Sequence, residues 1–276
     1  NAGCASVLSL TGVLAKNLSE PLGYSGFGLH LFLSTLLSGF LFTLVVYVLY
    51  KGYKVKADNP LKLSEIPKFN RDQWLTIIAI IVMVICCIGF KLDTGLFAFA
   101  AAAVLILLGA VDEKKAIKGI PWGTLVFICG VGVLINVIDT LGGITLISDF
   151  LTKFMSEYTA APILAATSGI LSWVSSTTGV VMPTLFPIAA DVCKTFGGAN
   201  YVELISAITA TSFAAAISPL STGGAIIMSS YSAARETSTE ELNKMFKTLF
   251  LLSVGNVLLN VLLSALGVFK LGGLFY

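Results

Sequence analysis

The segment Ser172-Trp173-Val174-Ser175-Ser176-Thr177-Thr178-Gly179 lies in the middle of an uncharged run that extends from residue 158 to residue 190. As a single helix this run would be about 50 Å long, whereas the hydrocarbon core of a bilayer is about 30 Å thick. The hydroxyl groups and the glycine allow the backbone to turn, and Pro183 and Pro187 limit helix continuation. The run therefore predicts a re-entrant helical hairpin, 158–190, with its tip near 175–178.

A second uncharged run, residues 204–234, carries a break signal at its centre, which reads Ser218-Pro219-Leu220-Ser221-Thr222-Gly223-Gly224. Proline removes an amide donor, and glycine permits backbone conformations that other residues avoid. We therefore expect the helix to stop and restart here. A broken helix frees backbone groups that bind ions and substrate in transporters. The alternative is a proline-kinked helix that only packs against its neighbours.

The composition places both runs in a membrane protein. Of 276 residues, 56% are hydrophobic and only 12% are charged, against about 25% charged residues in soluble proteins. The net charge is +2 and no basic patch alternates with aromatic residues, which argues against a nucleic-acid partner. Helix-length uncharged runs also occur at 28–50, 73–90, 94–111, 119–138 and 248–269. These features predict an all-α, polytopic membrane protein.

The remaining sequence features concern topology and the start of the chain. Lysine and arginine concentrate in segments 51–72, 112–118 and 235–247, which predicts that these segments are cytoplasmic. The chain begins at Asn1 with no charged segment ahead of its first apolar stretch, so we expect a fragment of a larger protein. The 5 cysteines lie mostly in apolar runs and predict neither a disulfide framework nor a metal cluster.

An internal repeat is suggested by the first residues of the chain. The stretch Asn1-Ala2-Gly3-Cys4-Ala5-Ser6-Val7 can be aligned with residues 222–228. Each stretch is followed by a short apolar segment, a long uncharged span and a closing lysine, Lys51 or Lys270. The charge distribution gives the two units opposite orientations, as an inverted repeat requires.

The hairpin tip with Pro183 and the break Pro219-Leu220-Ser221-Thr222-Gly223-Gly224 resemble the divalent-anion/sodium symporters. These are bacterial dicarboxylate carriers of the ion-transporter superfamily. The resemblance covers about 120–270, with a remnant of the other half at 1–50. The family's tip motif is Ser-Asn-Thr, and here Ser176 takes the middle position, which leaves the coupling ion and its stoichiometry open.

The resemblance implies a secondary active transporter for a small di- or tricarboxylate or similar divalent anion. It implies sodium as the coupling ion, no cofactor, a homodimer in a bacterial cytoplasmic membrane, and an elevator-like movement of the transport domain. The residues expected at the substrate are Ser175, Thr177, Thr178, Ser221 and Thr222. Those expected at the ion are Val174, Ser176, Gly223, Gly224, Asn1 and Gly3.

The same resemblance implies a division of the chain. Residues 1–27 would be the tail of the broken helix of the first repeat. Scaffold-type helices would occupy 28–118, with a cytoplasmic linker at 51–72. Transport-domain helices would occupy 119–235, including the hairpin 158–190 and the broken helix 204–234. Residues 236–276 would hold the last transmembrane helix.

The chemistry of the spanning runs agrees with sodium coupling, because these runs contain no acidic or basic residue and proton-coupled carriers usually need a titratable group in the membrane. Helix N-termini, hydroxyls and amides would meet the anion. A sodium/proton antiporter or another anion carrier on the same scaffold is the main alternative, and a channel is a further one. An enzyme is not expected, because His30 is far from Ser175 in the sequence and no nucleophile motif is present.

Overall fold

The computed structural model describes residues 2–54, 68–90, 92–120, 141–234 and 238–270, with isolated positions between 122 and 140. Within these residues, the regular elements are helical. They are α1 (Leu10–Ser19), α2 (Gly28–Leu49), α3 (Arg71–Gly89), α4 (Thr94–Leu107), α5 (Glu113–Gly119), α6 (Gly143–Thr152), α7 (Ala160–Val174), α8 (Met182–Thr195), α9 (Tyr201–Ala215), α10 (Thr222–Ala234) and α11 (Thr239–Ala265), with short 3-10 turns at Ala2–Ala5, Glu20–Leu22 and Gly52–Lys54 and a π-helical turn at Thr177–Val181.

Two of the described helices are long and apolar enough to cross a membrane, α2 and α11. Shorter apolar helices lie at Gly95–Leu107, Ala160–Val174 and Tyr201–Ala215. The sequence-based spans 28–50, 73–90, 94–111 and 248–269 each contain or overlap one of α2, α3, α4 and α11. Half of the residues of the span 119–138 lie outside the described part of the chain.

The chain forms two compact units, Tyr47–Leu125 and a second made of Asn1–Val46 and Val126–Tyr276. In the first unit α3 packs against α4. Their starts follow from side-chain caps: Asn70 and Gln73 form a reciprocal capping box, and Asp93 accepts the amide of Leu96. The predicted roles of 28–118 as scaffold and 119–235 as transport domain remain predictions.

The second unit is built on α9, which packs closely against α7 and α11. At the α7 crossing, a Cβ atom added to Gly169 would press on the side chains of Val257 and Thr211. Glycine therefore allows close approach of the helices, as small residues do in membrane bundles. An apolar core joins α9 to α7, α8 and α1 and includes Leu164, Leu185, Phe186, Ile205 and Ile208.

The prolines of the 158–190 run do not limit the helix as expected. Pro183 stands at the start of α8, and Pro187 lies inside it. The chain is instead interrupted earlier, at Ser175 and Ser176, which are both extended. The π-helical turn comes directly before Pro183, whose missing N–H leaves the Gly179 carbonyl without its usual donor. Re-entry of α7 and α8 into a membrane remains a prediction.

The run 204–234 is interrupted where the sequence predicts. Helix α9 ends at Ala215, a tight turn follows, and α10 starts at Thr222. The alternative of a single kinked helix does not apply to this segment. The two interrupted runs therefore place four helix ends within one unit.

Candidate functional site

The interruption at residues 175–178, which we call the 175–178 break, is closed by its own hydroxyl groups. Ser175 donates to the carbonyl of Leu171 at 2.6 Å, which caps the end of α7. Ser176 accepts the amide of Gly179 at 3.1 Å, which caps the next helix start. Its hydroxyl also lies 3.4 Å from that of Thr178. Among the described residues, no acceptor is recorded for the amides of Thr177 and Thr178, as is usual for the first turn of a helix.

Thr177 is tied to α9 through Ser172. The hydroxyls of Ser172 and Thr177 are 3.0 Å apart, and the Ser172 hydroxyl donates to the carbonyl of Ser212 at 2.8 Å. Because a serine hydroxyl has one hydrogen, Ser172 must accept from Thr177. The Thr177 hydroxyl therefore presents only its oxygen lone pairs to any further partner.

A turn joins α9 to α10. Together with the first residues of α10 it covers residues 216–224, and we call it the second turn because a matching turn lies at the start of the chain. Ser221 organises the second turn: its hydroxyl shares its one hydrogen between the carbonyls of Ala216 at 2.7 Å and Ser218 at 2.8 Å. The same oxygen accepts the amide of Gly224 at 3.4 Å. A Cβ atom added to Gly224 would overlap the Ser218 carbonyl. Glycine is therefore required because any side chain at this position would clash within the turn. The sequence suggested a different reason, which was space for an ion beside the backbone.

The 175–178 break and the second turn border an open cavity of about 160 Å³. No charged side chain lines it among the described residues. Its walls are Ser175, Ser176, Thr177, Thr178, Phe213, Ala216, Ser221 and Gly223. Since Thr177 and Ser221 stand at the starts of helical segments, two helix N-termini with their partial positive charge border the same space.

The cavity brings together most of the residues that the sequence singled out. Ser175, Ser176, Thr177, Thr178, Ser221 and Gly223 line it. Gly224, which follows the lining residue Gly223, is buried, and Val174 is 69% exposed at the end of α7. The side chain of Thr222 and the residue Asn1 lie outside the described part of the chain, and Gly3 is exposed with open space around it.

The start of the chain repeats the second turn in a register different from the one that the sequence suggested. In residues 4–12, the first turn, Ser9 donates to the carbonyls of Cys4 and, at 2.7 Å, of Ser6, and accepts the amide of Gly12 at 3.1 Å. A Cβ atom on Gly12 would overlap the Ser6 carbonyl. Each turn is followed by a helix, α1 or α10. Position by position, the matching pairs are Cys4 with Ala216, Ser6 with Ser218, Leu8 with Leu220, Ser9 with Ser221 and Gly12 with Gly224.

Sequence reasoning missed two features of this unit. Phe213 and Ala216 line the cavity, although only their position just before the break could have indicated it. Glu203 is a buried acid, 5% exposed, whose carboxylate lies 3.8 Å from the Lys270 ammonium. The sequence did not indicate a buried acid here, because Glu203 immediately precedes the uncharged run 204–234. It is roughly 20 Å from Ala216 along the helix, so it is not part of the cavity.

Two interrupted helices that meet at an uncharged, hydroxyl-lined cavity in an apolar helical chain are features of a membrane transporter. The family model of the citrate transporters (CitMHS) matches residues 8–217. The chain belongs to this citrate transporter family, which is part of the ion-transporter superfamily. A search of curated proteins and a search of solved structures each gave no significant match.

Membership has two direct consequences. The chain is a multi-pass membrane protein of a family that transports citrate or a similar anion. The prediction that it is not an enzyme is confirmed, because the family is one of transporters. The matched region includes α7–α8 and α9, and it ends at residue 217, within the second turn.

Proposed function

We propose that the protein is a sodium-coupled symporter of citrate and that the cavity between the 175–178 break and the second turn binds both solutes. The observation that carries the proposal is that two helix N-termini and a group of hydroxyls border one uncharged cavity. Helix N-termini attract anions without a basic side chain. The cavity therefore suits a carboxylate although no lysine or arginine lines it among the described residues.

The hydrogen bonds of the cavity divide its hydroxyls into two groups. Ser175, Thr177 and Ser221 each use their hydrogen on a protein acceptor. What they can offer a ligand is oxygen lone pairs, which suit a cation. Ser176 and Thr178 face each other at 3.4 Å, and a single weak bond between them uses only one of their two hydrogens. At least one hydrogen, together with the amides of Thr177 and Thr178, remains to bind a carboxylate.

This division differs from the one implied by the resemblance. Ser175, Thr177 and Ser221 become candidate sodium ligands, and Ser176 and Thr178 become candidate citrate donors. Sodium binds well to hydroxyl and carbonyl oxygens, as at the unwound segments of other transporters. Since Glu203 is remote from the cavity, no titratable group among the described residues competes with sodium there.

The size of the cavity limits what it can hold. Its volume of about 160 Å³ is below the 300–1,000 Å³ of typical ligand pockets. It has space for an ion and one carboxylate arm of citrate. We propose that the rest of the substrate extends away from the 175–178 break toward a wall supplied by other parts of the protein.

The predictions about subfamily, internal repeat, oligomeric state, localisation and movement remain part of the proposal. Placement near the divalent-anion/sodium symporters, an inverted repeat, a homodimer in a bacterial cytoplasmic membrane and an elevator-like movement are supported by the resemblance, and the repeat also by the two matching turns. The antiporter alternative is not favoured, because the family is named for an organic anion.

The proposal is tested by citrate uptake into proteoliposomes with the full-length protein. Thr178→Val removes a hydroxyl and keeps the shape of the side chain. It should raise the citrate concentration for half-maximal uptake about tenfold, as expected for a hydrogen bond to a charged group. Thr177→Val should instead raise the sodium concentration for half-maximal uptake and leave the citrate value at saturating sodium nearly unchanged.

Thr167→Val is the matched control. Thr167 lies on α7, is half-buried and bonds only the carbonyl of Ile163 in its own helix, so its replacement should change neither constant. Uptake that does not depend on sodium would contradict the coupling. Unchanged citrate kinetics in Thr178→Val would contradict the citrate site.

A further inference from the structure

Helix α11 carries a stripe of polar side chains on its buried face. Ser253, Asn256, Asn260 and Ser264 recur at helical spacing, and none is more than 4% exposed. The helix is otherwise apolar enough to span a membrane. Polar side chains inside a membrane bundle are costly unless they bond to another helix, and they often mark function. The stripe therefore needs a partner.

The partner is the end of α9. The last carbonyls of a helix have no donor within it. The carbonyl of Ala214 accepts from the Asn256 amide nitrogen at 3.4 Å, and that of Ala215 accepts from the Ser253 hydroxyl at 2.9 Å. Helix α11 thus supplies side-chain donors to the two residues that precede the second turn.

The orientation of Asn256 is itself fixed. The amide nitrogen of Asn260 donates to the side-chain oxygen of Asn256 at 3.1 Å and to its carbonyl at 2.9 Å. The Asn260 oxygen accepts from the Ser38 hydroxyl of α2 at 2.6 Å. Because the Asn256 oxygen is an acceptor here, its nitrogen must point toward Ala214. A continuous line of buried hydrogen bonds runs from α2 through α11 to the end of α9.

We propose that Ser253 and Asn256 are positioning residues for the transport site. They hold the end of α9 and so fix the Ala216 carbonyl, which accepts from Ser221 and lies on the cavity wall. A shift of that carbonyl moves the Ser221 hydroxyl and the start of α10 together. The inference rests on the proposed function of the cavity. It assigns control of cavity geometry to a helix that does not line the cavity in the part that the structure describes.

The chain offers a matched pair for the test. Ser264 lies on the same face of α11 and is buried to 3% exposure, and its hydroxyl has no partner in the described structure. Ser253→Ala and Ser264→Ala remove the same group from the same helix. In proteoliposomes with the full-length protein, Ser253→Ala should raise the half-saturating citrate concentration about fivefold, the equivalent of one neutral hydrogen bond. Ser264→Ala should leave it unchanged, and Ser253→Thr, which keeps the hydroxyl, should restore most of the affinity.

Several outcomes would overturn the positioning role. One is an equal effect of Ser253→Ala and Ser264→Ala; another is a loss of uptake that follows only the amount of inserted protein. Asn256→Leu serves as the second variant if Ser253→Ala does not insert, and failure of both to insert would make the role purely structural. Thr178→Val in the same series separates the two proposals. If it alone weakens citrate affinity, the cavity stands and the positioning role is wrong; if neither does, the cavity itself is wrong.

Discussion

The first turn, residues 4–12, and the second turn, residues 216–224, share one hydrogen-bond pattern but have different surroundings. In both, a serine hydroxyl binds two preceding carbonyls and caps the amide of a glycine three residues later. In both, a second serine three residues earlier bonds the amide two residues ahead of it. The turn is therefore a local structure that Ser-x-Leu-Ser-x-x-Gly specifies by itself.

The surroundings decide what each turn can do. Ser218 and Ser221 are buried, and the residues before them are bonded to α7 and α11. In the first turn Ser6 and Ser9 are half-buried and Cys4 is exposed. Its hydrogen bonds to described residues are all local.

The cavities beside the two turns differ as well. The one beside the second turn is lined by hydroxyls and helix starts. The one beside the first turn, about 230 Å³, includes Lys16 and Glu20 in its lining, which form an ion pair at 3.6 Å. Two turns with the same hydrogen-bond pattern therefore lie beside cavities with different linings. On the proposed function, we therefore expect recognition of an anion to need the 175–178 break as well as the turn.

The largest expected effect comes from the glycines. Gly224→Ala and Gly12→Ala should each abolish citrate uptake, because the added Cβ would overlap a backbone carbonyl that cannot move without opening the turn. Proteoliposome uptake normalised to inserted protein measures the effect. If Gly224→Ala lost citrate uptake and Gly12→Ala transported normally, the two turns would not be equivalent. Transport would then need only the second turn.

Two other glycines provide the controls for this pair. A Cβ atom added to Gly3, close to the first turn, or to Gly255 in α11 would meet nothing within 4 Å. Gly3→Ala and Gly255→Ala should therefore transport normally, and Gly255→Ala should gain slight helix stability. Loss of uptake in either would show that alanine is harmful for reasons other than the overlap.

A middle-sized effect is expected at the organising serines. Ser221→Ala removes the hydroxyl donor from the half-buried Ala216 carbonyl and from the Ser218 carbonyl, which keeps the amide of residue 221, and should lower the free energy of unfolding by about 1–2 kcal/mol. Ser9→Ala should cost less than about 1 kcal/mol, because water can reach a half-buried turn. Thermal unfolding of the purified protein in detergent measures both. Equal losses would mean that the first turn is as enclosed as the second in the whole protein.

The smallest effect concerns the residue that follows the first serine of each turn, which is Val7 in the first turn and Pro219 in the second. Pro219→Val gives the second turn the residue of the first. Because the first turn forms the same bonds with valine, the change should cost less than about 1 kcal/mol, mainly through greater freedom of the unfolded chain. Citrate affinity should be nearly unchanged. A large loss would show that proline fixes the second turn beyond its hydrogen bonds.

The helix interruptions were predictable from local chemistry. Gly223, Gly224 and Pro219 mark the second turn, and the hydroxyl-rich 175–178 break is equally visible in the sequence. The expectation that Pro183 and Pro187 limit the helix was wrong. The chain is interrupted before both prolines, and a π-helical turn accommodates Pro183. The register of the first turn was also missed. Its matching residues, Ser6, Leu8, Ser9 and Gly12, are separated by unlike ones, which weakens the signal in the sequence.

Contacts between distant segments could not be predicted. Ser253 and Asn256 lie in a strongly apolar run whose average hydropathy hides them, and nothing in the sequence pairs them with Ala214 and Ala215. The division of hydroxyls into donors and lone-pair ligands depends on Ser172, which bonds across to α9. Such pairings arise from tertiary packing and have no local signature.

The most direct test of the central claim is a cryo-electron microscopy structure of the full-length protein with citrate and sodium. The account predicts citrate density between the 175–178 break and the second turn. One carboxylate should lie within hydrogen-bond distance of the Thr178 amide and hydroxyl, and a sodium ion should lie near the oxygens of Thr177 and Ser221. Citrate bound instead in the cavity beside the first turn, against Lys16, would contradict it.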